Sequence, residues 1–182
     1  MGNLAIQLPA HKDQAAFNLE RWQELVCDPF YSSLEQRIET DRHGNIIMSP
    51  PPAFSHGRRG FRIAKLMERY AEGGASSVEV PISTSDGVRV ADVAWLTDSQ
   101  LAVAEEMSVL LTAPAICVEV ISPRNREAEM LEKMALYFDA GASEVWFCEE
   151  SGAMRFFLSP HLEVKASLLI PDFPASVCSA IT

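Results

Sequence analysis

The apolar run AICVEVIS, residues 115–122, constrains the fold of this chain more than any other segment. It shows little alternation between apolar and polar residues, which is typical of a central β-strand covered on both faces. Such a strand needs a packed layer on each side of its sheet, so we expect an α/β fold. One carboxylate, Glu119, interrupts the run, and burying a carboxylate is costly unless it is paired or coordinates a metal ion.

The segments around this run indicate a mixed sheet. SVEVPIS and VRVADVAWL predict two strands before it, and Pro81 places the first of them at a sheet edge or strand end. Asn125 is expected to cap a helix from Arg126 to Ala140, which Gly141 ends. EVWFCEE and MRFFLS, joined by SGA, predict two later strands, and the tail ASLLIPDFPASV predicts a strand or extended segment.

The N-terminal half predicts two helices and the parts of a hairpin. AAFNLERWQELVCDPF has apolar residues at helical spacing and is expected to end near Pro29. SLEQRIET indicates a helix or a strand, DRHGN a turn and IIMS a short strand. The three prolines of SPPPAF exclude regular structure. The next segment, RRGFRIAKLMERYAEGG, predicts a helix, whose apolar residues near helical spacing are Phe61, Ala64, Leu66, Met67 and Tyr70.

Length and composition favour one globular domain. The chain has 182 residues, 48% hydrophobic and 22% charged, so we expect a single domain over residues 1–182, with residues 1–16 as a flexible N-terminal arm. Its apolar runs are too short to cross a bilayer, and its N-terminus lacks the pattern of a secretory signal, so a cytoplasmic protein is expected. The cysteines have no metal-site spacing and are expected to be reduced thiols. They are Cys27, Cys117, Cys148 and Cys178.

The net charge of −10 opposes binding to nucleic acid, unless a local basic surface or a metal ion compensates. The predicted helix after the prolines carries such a cluster, and two arginines follow the central run. The candidate phosphate contacts are Arg58, Arg59, Arg62, Arg124 and Arg126, with Lys65 on the same helix as the first three. An ordinary solvated helix face is the alternative for this cluster.

Three residues point to a chemical function. Asp92 lies in a strand otherwise made of apolar residues and arginine, Glu119 lies in the central run, and Lys133 lies on the following helix. Two carboxylates on neighbouring strands would repel each other, and a divalent cation removes that repulsion. Oxygen ligands favour Mg²⁺ or Mn²⁺ over zinc. Lys133, on the flank of its helix, is placed to stabilise a developing phosphorane.

Structural roles are the alternatives for these residues. Asp92 could accept hydrogen bonds at a strand end, and Glu119 could pair with Arg124 or Arg126. Glu129 and Lys133 are four residues apart, in the favourable order for a surface ion pair. The hypothesis of a metal site therefore depends on Asp92, Glu119 and Lys133 acting together.

Several motifs resemble the Uma family of restriction-endonuclease-like proteins, within the PD-(D/E)XK nuclease superfamily. The resemblance covers the chain from about residue 20 onward and is more specific in the C-terminal half. An upstream match is RIETDRHGNIIMSPPP, a charged hairpin that runs into a proline-rich turn. The later matching residues are Ala91-Asp92-Val93, Glu119-Val120-Ile121-Ser122-Pro123, Lys133 with Tyr137, and Glu144-Val145-Trp146.

The resemblance implies a fold and a set of metal ligands. The fold is a restriction-endonuclease-like core, a central mixed β-sheet flanked by helices, with an N-terminal helix and hairpin extension. Asp92 and Glu119 would bind Mg²⁺ or Mn²⁺, with the backbone carbonyl of Val120 as third ligand. Lys133 would replace the lysine that the superfamily usually has two residues after the glutamate, where this chain has Ile121.

Two further residues are candidates for the same site. Glu39, in RIE, matches an acidic position of the family, and a solvated acid before a turn is its alternative role. His56, just before the basic cluster, could contact phosphate or substrate, or could only cap or pack. The expected function is metal-dependent hydrolysis of DNA phosphodiester bonds by an endonuclease, with a homodimer cutting both strands. A non-catalytic accessory protein with a nuclease fold, or a hydrolase of another phosphate ester, is the alternative.

Overall fold

A computed structural model describes residues 11–123 and 125–177 of the chain. Its helices are α1 (His11–Cys27), α2 (Pro29–Ser32), α3 (Phe54–Tyr70), α4 (Asp98–Ala104) and α5 (Glu127–Asp139). Its strands are β1 (Arg37–Thr40), β2 (Ile46–Ser49), β3 (Ala75–Thr84), β4 (Gly87–Leu96), β5 (Ile116–Val120), β6 (Glu144–Cys148), β7 (Met154–Ser159) and β8 (Leu162–Val164). Arg124 and Cys178, both assigned roles from the sequence, lie outside the described residues.

The central sheet has six strands in the order β3-β4-β5-β6-β7-β8. Strands β5 and β6 pair in parallel, and the other neighbouring pairs are antiparallel. Parallel neighbours need a crossover connection, which α5 supplies between β5 and β6. The predicted mixed sheet with flanking helices is confirmed, and β3, which contains Pro81, is an edge strand as expected.

Every residue of β5 is buried because helices cover both faces of the sheet. On one face, Ile63 and Met67 of α3 pack in a cluster with Val93 and Val118. On the other face, the buried residues of α5 pack with residues of β5 and β6. Phe61, which its spacing grouped with the apolar residues of this helix, lies instead on the outer side of α3 and is 67% exposed.

The N-terminal helix packs beside β4, where Trp22 and Leu25 cluster with Val88 and Val90. The predicted N-terminal arm, residues 1–16, is too long at its C-terminal end, because α1 already begins at His11. Gln14 is buried there, and its amide donates hydrogen bonds to the Asn18 side chain and to the Arg42 carbonyl. Residues 1–10 lie outside the described part of the chain.

Strands β1 and β2 form a separate antiparallel hairpin that lies against β4. RIET is therefore a strand, and the alternative prediction of a helix for this segment is wrong. The contact requires glycine at position 87, because a Cβ there would lie 2.2 Å from the Thr40 carbonyl oxygen. The Thr40 hydroxyl also accepts a 3.0 Å hydrogen bond from the Val88 amide. The hairpin is therefore fixed on the strand that carries Asp92.

Two local predictions in the C-terminal half are wrong. Arg126, not Asn125, is the N-cap of α5. The Asn125 side chain accepts hydrogen bonds from the amide and hydroxyl of Ser122, so it closes the turn before the helix instead. Of the two forms expected for the tail, the strand is not formed among the described residues, apart from an isolated bridge between Ala153 and Ser176; the tail closes on the body as an irregular segment whose apolar residues pack in the core.

Glu144, buried at the start of β6, fixes the turns that precede the C-terminus. Its carboxylate accepts hydrogen bonds from the Trp146 indole at 2.7 Å and from the amides of Leu168 and Leu169 at 2.7 and 2.9 Å. A Glu144→Gln substitution is expected to cost about 2 kcal/mol of unfolding free energy, because the amide cannot accept all three bonds. Urea unfolding measures this loss, and a loss no larger than that of exposed Glu163→Gln would contradict it.

No helix in the described ranges combines the length and the apolar character needed to cross a membrane.

Candidate functional site

Asp92 and Glu119 lie on adjacent strands at the point where β4 and β5 separate. The last ladder pair toward this end joins Val93 to Val118, one residue short of Asp92 and Glu119. Beyond it, the Asp92 carboxylate accepts a 2.6 Å hydrogen bond from the Val120 amide, in place of a backbone partner. Both acidic residues are buried, at 5% and 4% exposure. The strand geometry therefore brings the two predicted carboxylates together.

Asp92 is surrounded by hydrogen-bond donors. Its Oδ1 accepts a 2.5 Å bond from Arg37, and its Oδ2 lies 3.2 Å from His56 Nε2. Burial alone would raise the pKa of Asp92, but the His56 hydrogen bond, the Arg37 charge and the Val120 amide lower it to about 2. The same hydrogen bond raises the pKa of His56 above its usual value, against the effect of burial. Asp92 is therefore a stable carboxylate at neutral pH.

Glu119 has the opposite acid–base character. Its Oε1 accepts a 2.6 Å hydrogen bond from the Tyr137 hydroxyl, and Lys133 Nζ lies 3.2 and 3.3 Å from its two oxygens. Burial raises the pKa of Glu119 to about 7 and the charge of Asp92 adds to the increase, although Lys133, Tyr137 and Arg37 oppose it. Glu119 thus changes charge near neutral pH in the metal-free protein.

Lys133 connects Glu119 to a third carboxylate. Its Nζ lies 2.9 Å from Glu39 Oε1 and donates to the Val90 carbonyl at 3.2 Å. Glu39 also accepts a 2.9 Å bond from the Val90 amide, so β1 and α5 meet over the same residue of β4. Burial alone would lower the pKa of Lys133, but Glu119 and Glu39 raise it and keep the ammonium charged. Tyr137, four residues along α5, reaches Glu119 from the same helical face.

Arg37 is a site residue that the sequence interpretation missed, and Tyr137, named there as a family match beside Lys133, was given no role in the site. Arg37 and Glu39 are two apart on β1, so their side chains lie on one face of the hairpin. Arg37 bridges Asp92 to Glu79, whose two oxygens it binds at 2.5 and 2.8 Å. Glu79 has a positive φ of 52°, at the point where the pairing of β3 with β4 skips a residue. The register is the same on both sides of this gap, so Glu79 and Asp92 stay opposite each other and Arg37 contacts both.

Among the described residues, the ion pairs offered as structural alternatives for Glu119 and Lys133 do not form. Arg126 pairs with Glu129 at 2.5 Å rather than with Glu119. Lys133 pairs with Glu39 and Glu119, across the fold, rather than with Glu129. Arg124, the other proposed partner of Glu119, lies outside the described residues. The long-range pairing places Lys133 in the candidate site.

The basic cluster extends along α3 from the same region. His56, in the first turn of α3, reaches Asp92, and the predicted phosphate contacts follow it on the helix. Arg58 is exposed, while Arg59 and Arg62 are partly buried. Within the described ranges none of these three arginines forms an ion pair, although Arg62 donates a 3.3 Å hydrogen bond to the Val177 carbonyl. Arg126 is 80% exposed on its side chain but is already paired with Glu129.

The donor set has the chemistry of a magnesium site, although in the described ranges no three acidic, histidine or cysteine side chains are arranged to hold a metal ion. Mg²⁺ is often held by only one or two carboxylates, with water and substrate phosphate as the other ligands. Three buried carboxylates, Glu39, Asp92 and Glu119, face two permanent cations, Arg37 and Lys133. With Glu119 ionised and His56 neutral, the site therefore carries one negative charge more than its two cations neutralise.

A metal ion could bind to these carboxylates only if some of their contacts with protein donors changed. Both oxygens of Asp92 and both of Glu119 already contact protein donors. The side chains of Arg37, His56 and Lys133 are 16%, 16% and 17% exposed, more than the carboxylates that they contact. A metal ion must therefore displace at least one of these cations. Val120 meets Asp92 through its amide nitrogen, and its carbonyl as a metal ligand stays a prediction.

The Tyr137 hydroxyl is expected to stabilise the charged form of Glu119. Its removal in Tyr137→Phe should cost about 2 kcal/mol above pH 7, where the hydrogen bond is to a carboxylate, and less at pH 5. Thermal unfolding in EDTA at both pH values measures the difference. Tyr70→Phe, on a partly buried tyrosine elsewhere, is the matched control, and equal losses in the two variants would contradict a special role for Tyr137.

The fold and the sequence both have known counterparts. A putative nuclease belonging to DUF820 from Anabaena variabilis ATCC 29413 has a similar crystal structure, with a TM-score of 0.65 and 16% sequence identity. The similarity covers 86% of this chain and 94% of that one, and it confirms the restriction-endonuclease-like architecture. A comparison with curated proteins gives no match. The model of the Uma2 family, described as "Putative restriction endonuclease", matches residues 22–166, and the chain therefore belongs to the Uma2 family.

Proposed function

We propose that this protein is a metal-dependent endonuclease that hydrolyses DNA phosphodiester bonds. The observation that carries the proposal is the pair of buried carboxylates, Asp92 and Glu119, on adjacent strands with Lys133 against one of them. Membership of the Uma2 family supports the reaction class. The basic side chains of α3, which begin beside His56, support a nucleic-acid substrate.

Asp92 and Glu119 would hold Mg²⁺ or Mn²⁺ in this proposal. The bound ion would supply an acidified water and a polarised phosphate. Asp92 supplies a carboxylate that is ionised throughout the neutral range, because its pKa is about 2. Glu119 becomes fully available as a ligand when its proton leaves, and the Tyr137 hydroxyl orients it. Arg37 and His56 would move from Asp92 toward the incoming phosphate.

Lys133 would stabilise negative charge on the phosphorus oxygens in the transition state. Its ammonium is held between Glu39 and Glu119, so its position does not depend on substrate. A donor that is already oriented costs little reorganisation during the reaction. Lys133 thus fills the role that the superfamily usually gives to the position of Ile121, whose apolar side chain lies partly buried on the core.

A non-catalytic accessory protein is the second candidate function. It is favoured by the contacts of Arg37, Lys133 and His56, which satisfy the carboxylates without a metal ion. The net charge of −10 also suits a protein partner. An accessory protein needs no divalent ion, so metal dependence separates the two functions.

The proposal includes a homodimer in the cytoplasm. Cutting both strands of a duplex with one metal centre per chain often uses two copies of the chain. Sedimentation velocity with and without duplex DNA tests this part, and a monomer in both conditions would overturn it.

A plasmid-nicking assay tests the proposed function. The wild type is expected to nick supercoiled plasmid in Mg²⁺ or Mn²⁺ and to be inactive in EDTA. Lys133→Met should lower the rate by about 10² to 10³, as expected for loss of one charge-stabilising donor. Glu132→Gln, at the exposed neighbouring position, should retain the rate. No nicking by the folded wild type in either metal would favour the accessory protein.

A further inference from the structure

The outer face of α3 carries two aromatic side chains in solvent. Phe54 is 83% exposed and Phe61 is 67% exposed, and neither makes a ring contact with another described aromatic residue. Most large apolar side chains of a folded protein avoid such exposure, and a group of them marks an interaction site. The opposite face of α3 packs on the protein core, where Gly60, Ile63 and Met67 are buried.

Cationic residues alternate with these rings along the helix. Positions 54, 58, 61 and 65 are spaced by four, three and four residues, so they lie on one face of α3. We refer to Phe54, Arg58, Phe61 and Lys65 as the α3 stripe. Arg58 and Lys65 are exposed, and within the described ranges neither forms an ion pair with a carboxylate. The stripe therefore combines apolar rings with unneutralised positive charge.

The α3 stripe begins next to the candidate catalytic site. His56, two residues after Phe54, turns toward the sheet and contacts Asp92 at 3.2 Å. Arg59 and Arg62 lie on the flank of the helix between the stripe and its buried face. A ligand on the stripe would thus continue toward the carboxylate site past Arg59 and Arg62, on a protein whose net charge is −10.

We propose that the α3 stripe binds an unpaired stretch of a nucleic-acid strand, with bases stacked on Phe54 and Phe61 and phosphates beside Arg58 and Lys65. Aromatic side chains bind bases by stacking, and cations beside them neutralise the backbone. In a duplex the base faces are occupied by neighbouring bases, so two exposed rings add nothing there. The rings are seven residues apart, about 10 Å along the helix, a distance spanned by about three nucleotides at ~3.4 Å each.

This inference rests on the proposed nuclease function and deepens it, because it names DNA with a single-stranded segment as the preferred substrate. The charge of the stripe selects this occupant over an apolar protein surface. A second copy of the chain would place Arg58 and Lys65 near the same residues of its partner. Like charges brought together in this way oppose association.

Binding without cleavage tests the α3 stripe separately from catalysis. Fluorescence anisotropy would measure the binding of two labelled ligands in EDTA and low salt. One is an oligothymidylate of about 15 nucleotides, and the other is a blunt duplex of equal length. The wild type is expected to prefer the single strand. The double variant Phe54→Ala/Phe61→Ala should weaken single-strand binding about tenfold or more and leave duplex binding nearly unchanged. Phe30→Ala, at a ring that is 64% exposed on α2, is the matched control.

A second variant tests the charged half of the stripe. Arg58→Glu/Lys65→Glu should weaken the binding of both oligonucleotides and reduce its dependence on salt. The exposed Lys165→Glu is the control. Circular dichroism should show no change in helix content in any variant, because the substituted side chains are exposed.

The outcomes separate the inference from the proposed function. Stripe-dependent binding of the single strand supports the inference even if the wild type cleaves nothing in Mg²⁺. Unchanged single-strand binding in Phe54→Ala/Phe61→Ala overturns the inference even if the plasmid is nicked. A wild type with no preference for the single strand also overturns it. So would a dimer that dissociates in the double variant while DNA binding is unaffected, because the stripe would then be a contact between copies.

Discussion

Replacing Glu119 with glutamine is expected to reduce Mg²⁺-dependent plasmid nicking by about a thousandfold, the upper range for loss of one charged group in a catalytic site. The amide retains the size of the side chain and can still accept the Tyr137 hydrogen bond. It cannot supply the negative charge that a divalent ion requires. The loss should therefore occur in a folded protein. Nicking above one-tenth of the wild-type rate would contradict a role for Glu119 as metal ligand.

The same substitution has an expected effect on the pH dependence of stability. Because the folded-state pKa of Glu119 is raised from 4.5 to about 7, the folded protein keeps a proton that the unfolded chain has released. Stability from this group is fully present below pH 4.5 and is lost as pH rises to about 7, by a total on the order of 3 kcal/mol. Glu119→Gln should remove this component. His56, whose pKa is also raised, gives a decline of the same sign in both proteins.

Chemical unfolding in EDTA from pH 4.5 to 8 measures this effect. Without metal, the wild type should lose more stability over the range than Glu119→Gln. With millimolar Mg²⁺ the wild-type decline should be smaller, because metal binding competes with the proton on Glu119. If the unfolding free energies of the two proteins changed equally with pH in EDTA, Glu119 would already be ionised at pH 5. This outcome would contradict the prediction.

Replacing Asp92 with asparagine is expected to cost about 3 kcal/mol of unfolding free energy at pH 7, because Arg37 would lose its buried counter-charge and keep only the exposed Glu79 as an ion-pair partner. Asparagine can still accept from the Val120 amide but cannot neutralise Arg37 and His56. The folded-state pKa of Asp92 is lowered to about 2 from 3.8, so its contribution is present above pH 3.8 and is lost as pH falls through 2. The effect of the substitution should thus be largest at neutral pH.

Urea unfolding at pH 7 measures the effect of Asp92→Asn. Asp172→Asn, at an exposed aspartate, is the control and should change stability by less than about 0.5 kcal/mol. The double variant Arg37→Met/Asp92→Asn should recover part of the loss, since it removes the uncompensated charge together with its partner. A double variant as unstable as the sum of the single variants would show that the two residues contribute independently.

The sequence allowed Asp92, Glu119 and Lys133 to be predicted as one group because their charges conflict with the apolar pattern around them. A carboxylate inside a fully buried strand, such as Glu119, has few structural explanations. Asp92 stood out for the same reason on β4. The mixed sheet and the edge position of β3 also followed from the apolar runs and from Pro81.

Arg37 and Glu79 could not be predicted as site residues because long-range packing places them, and Glu39 was a candidate only through the family resemblance. Arg37 and Glu39 reach the site only because the β1–β2 hairpin lies on β4, which no local pattern of RIET reveals. Glu79 lies opposite Asp92 with a positive φ, although glutamate seldom adopts that conformation. The Asn125 cap was wrong for a more local reason, since Ser122 competes for the same side chain.

The exposed ring of Phe61 shows a limit of periodicity. Phe61 is apolar and close to helical spacing, so it was grouped with Met67, which is fully buried. Phe61 lies six residues before Met67, which places them on different sides of the helix. Its neighbours on the outer face, Arg58 and Lys65, are the signal that could have separated the two sides.

Calorimetric titration with Mg²⁺ and Mn²⁺ at pH 8 tests most directly whether Asp92 and Glu119 bind a divalent ion. The wild type and Glu132→Ala, at an exposed position on α5, should bind with the same affinity. Glu119→Ala should show no binding at millimolar metal. Binding that survives in Glu119→Ala, or no binding by the wild type at millimolar metal, would contradict a metal centre at these two carboxylates.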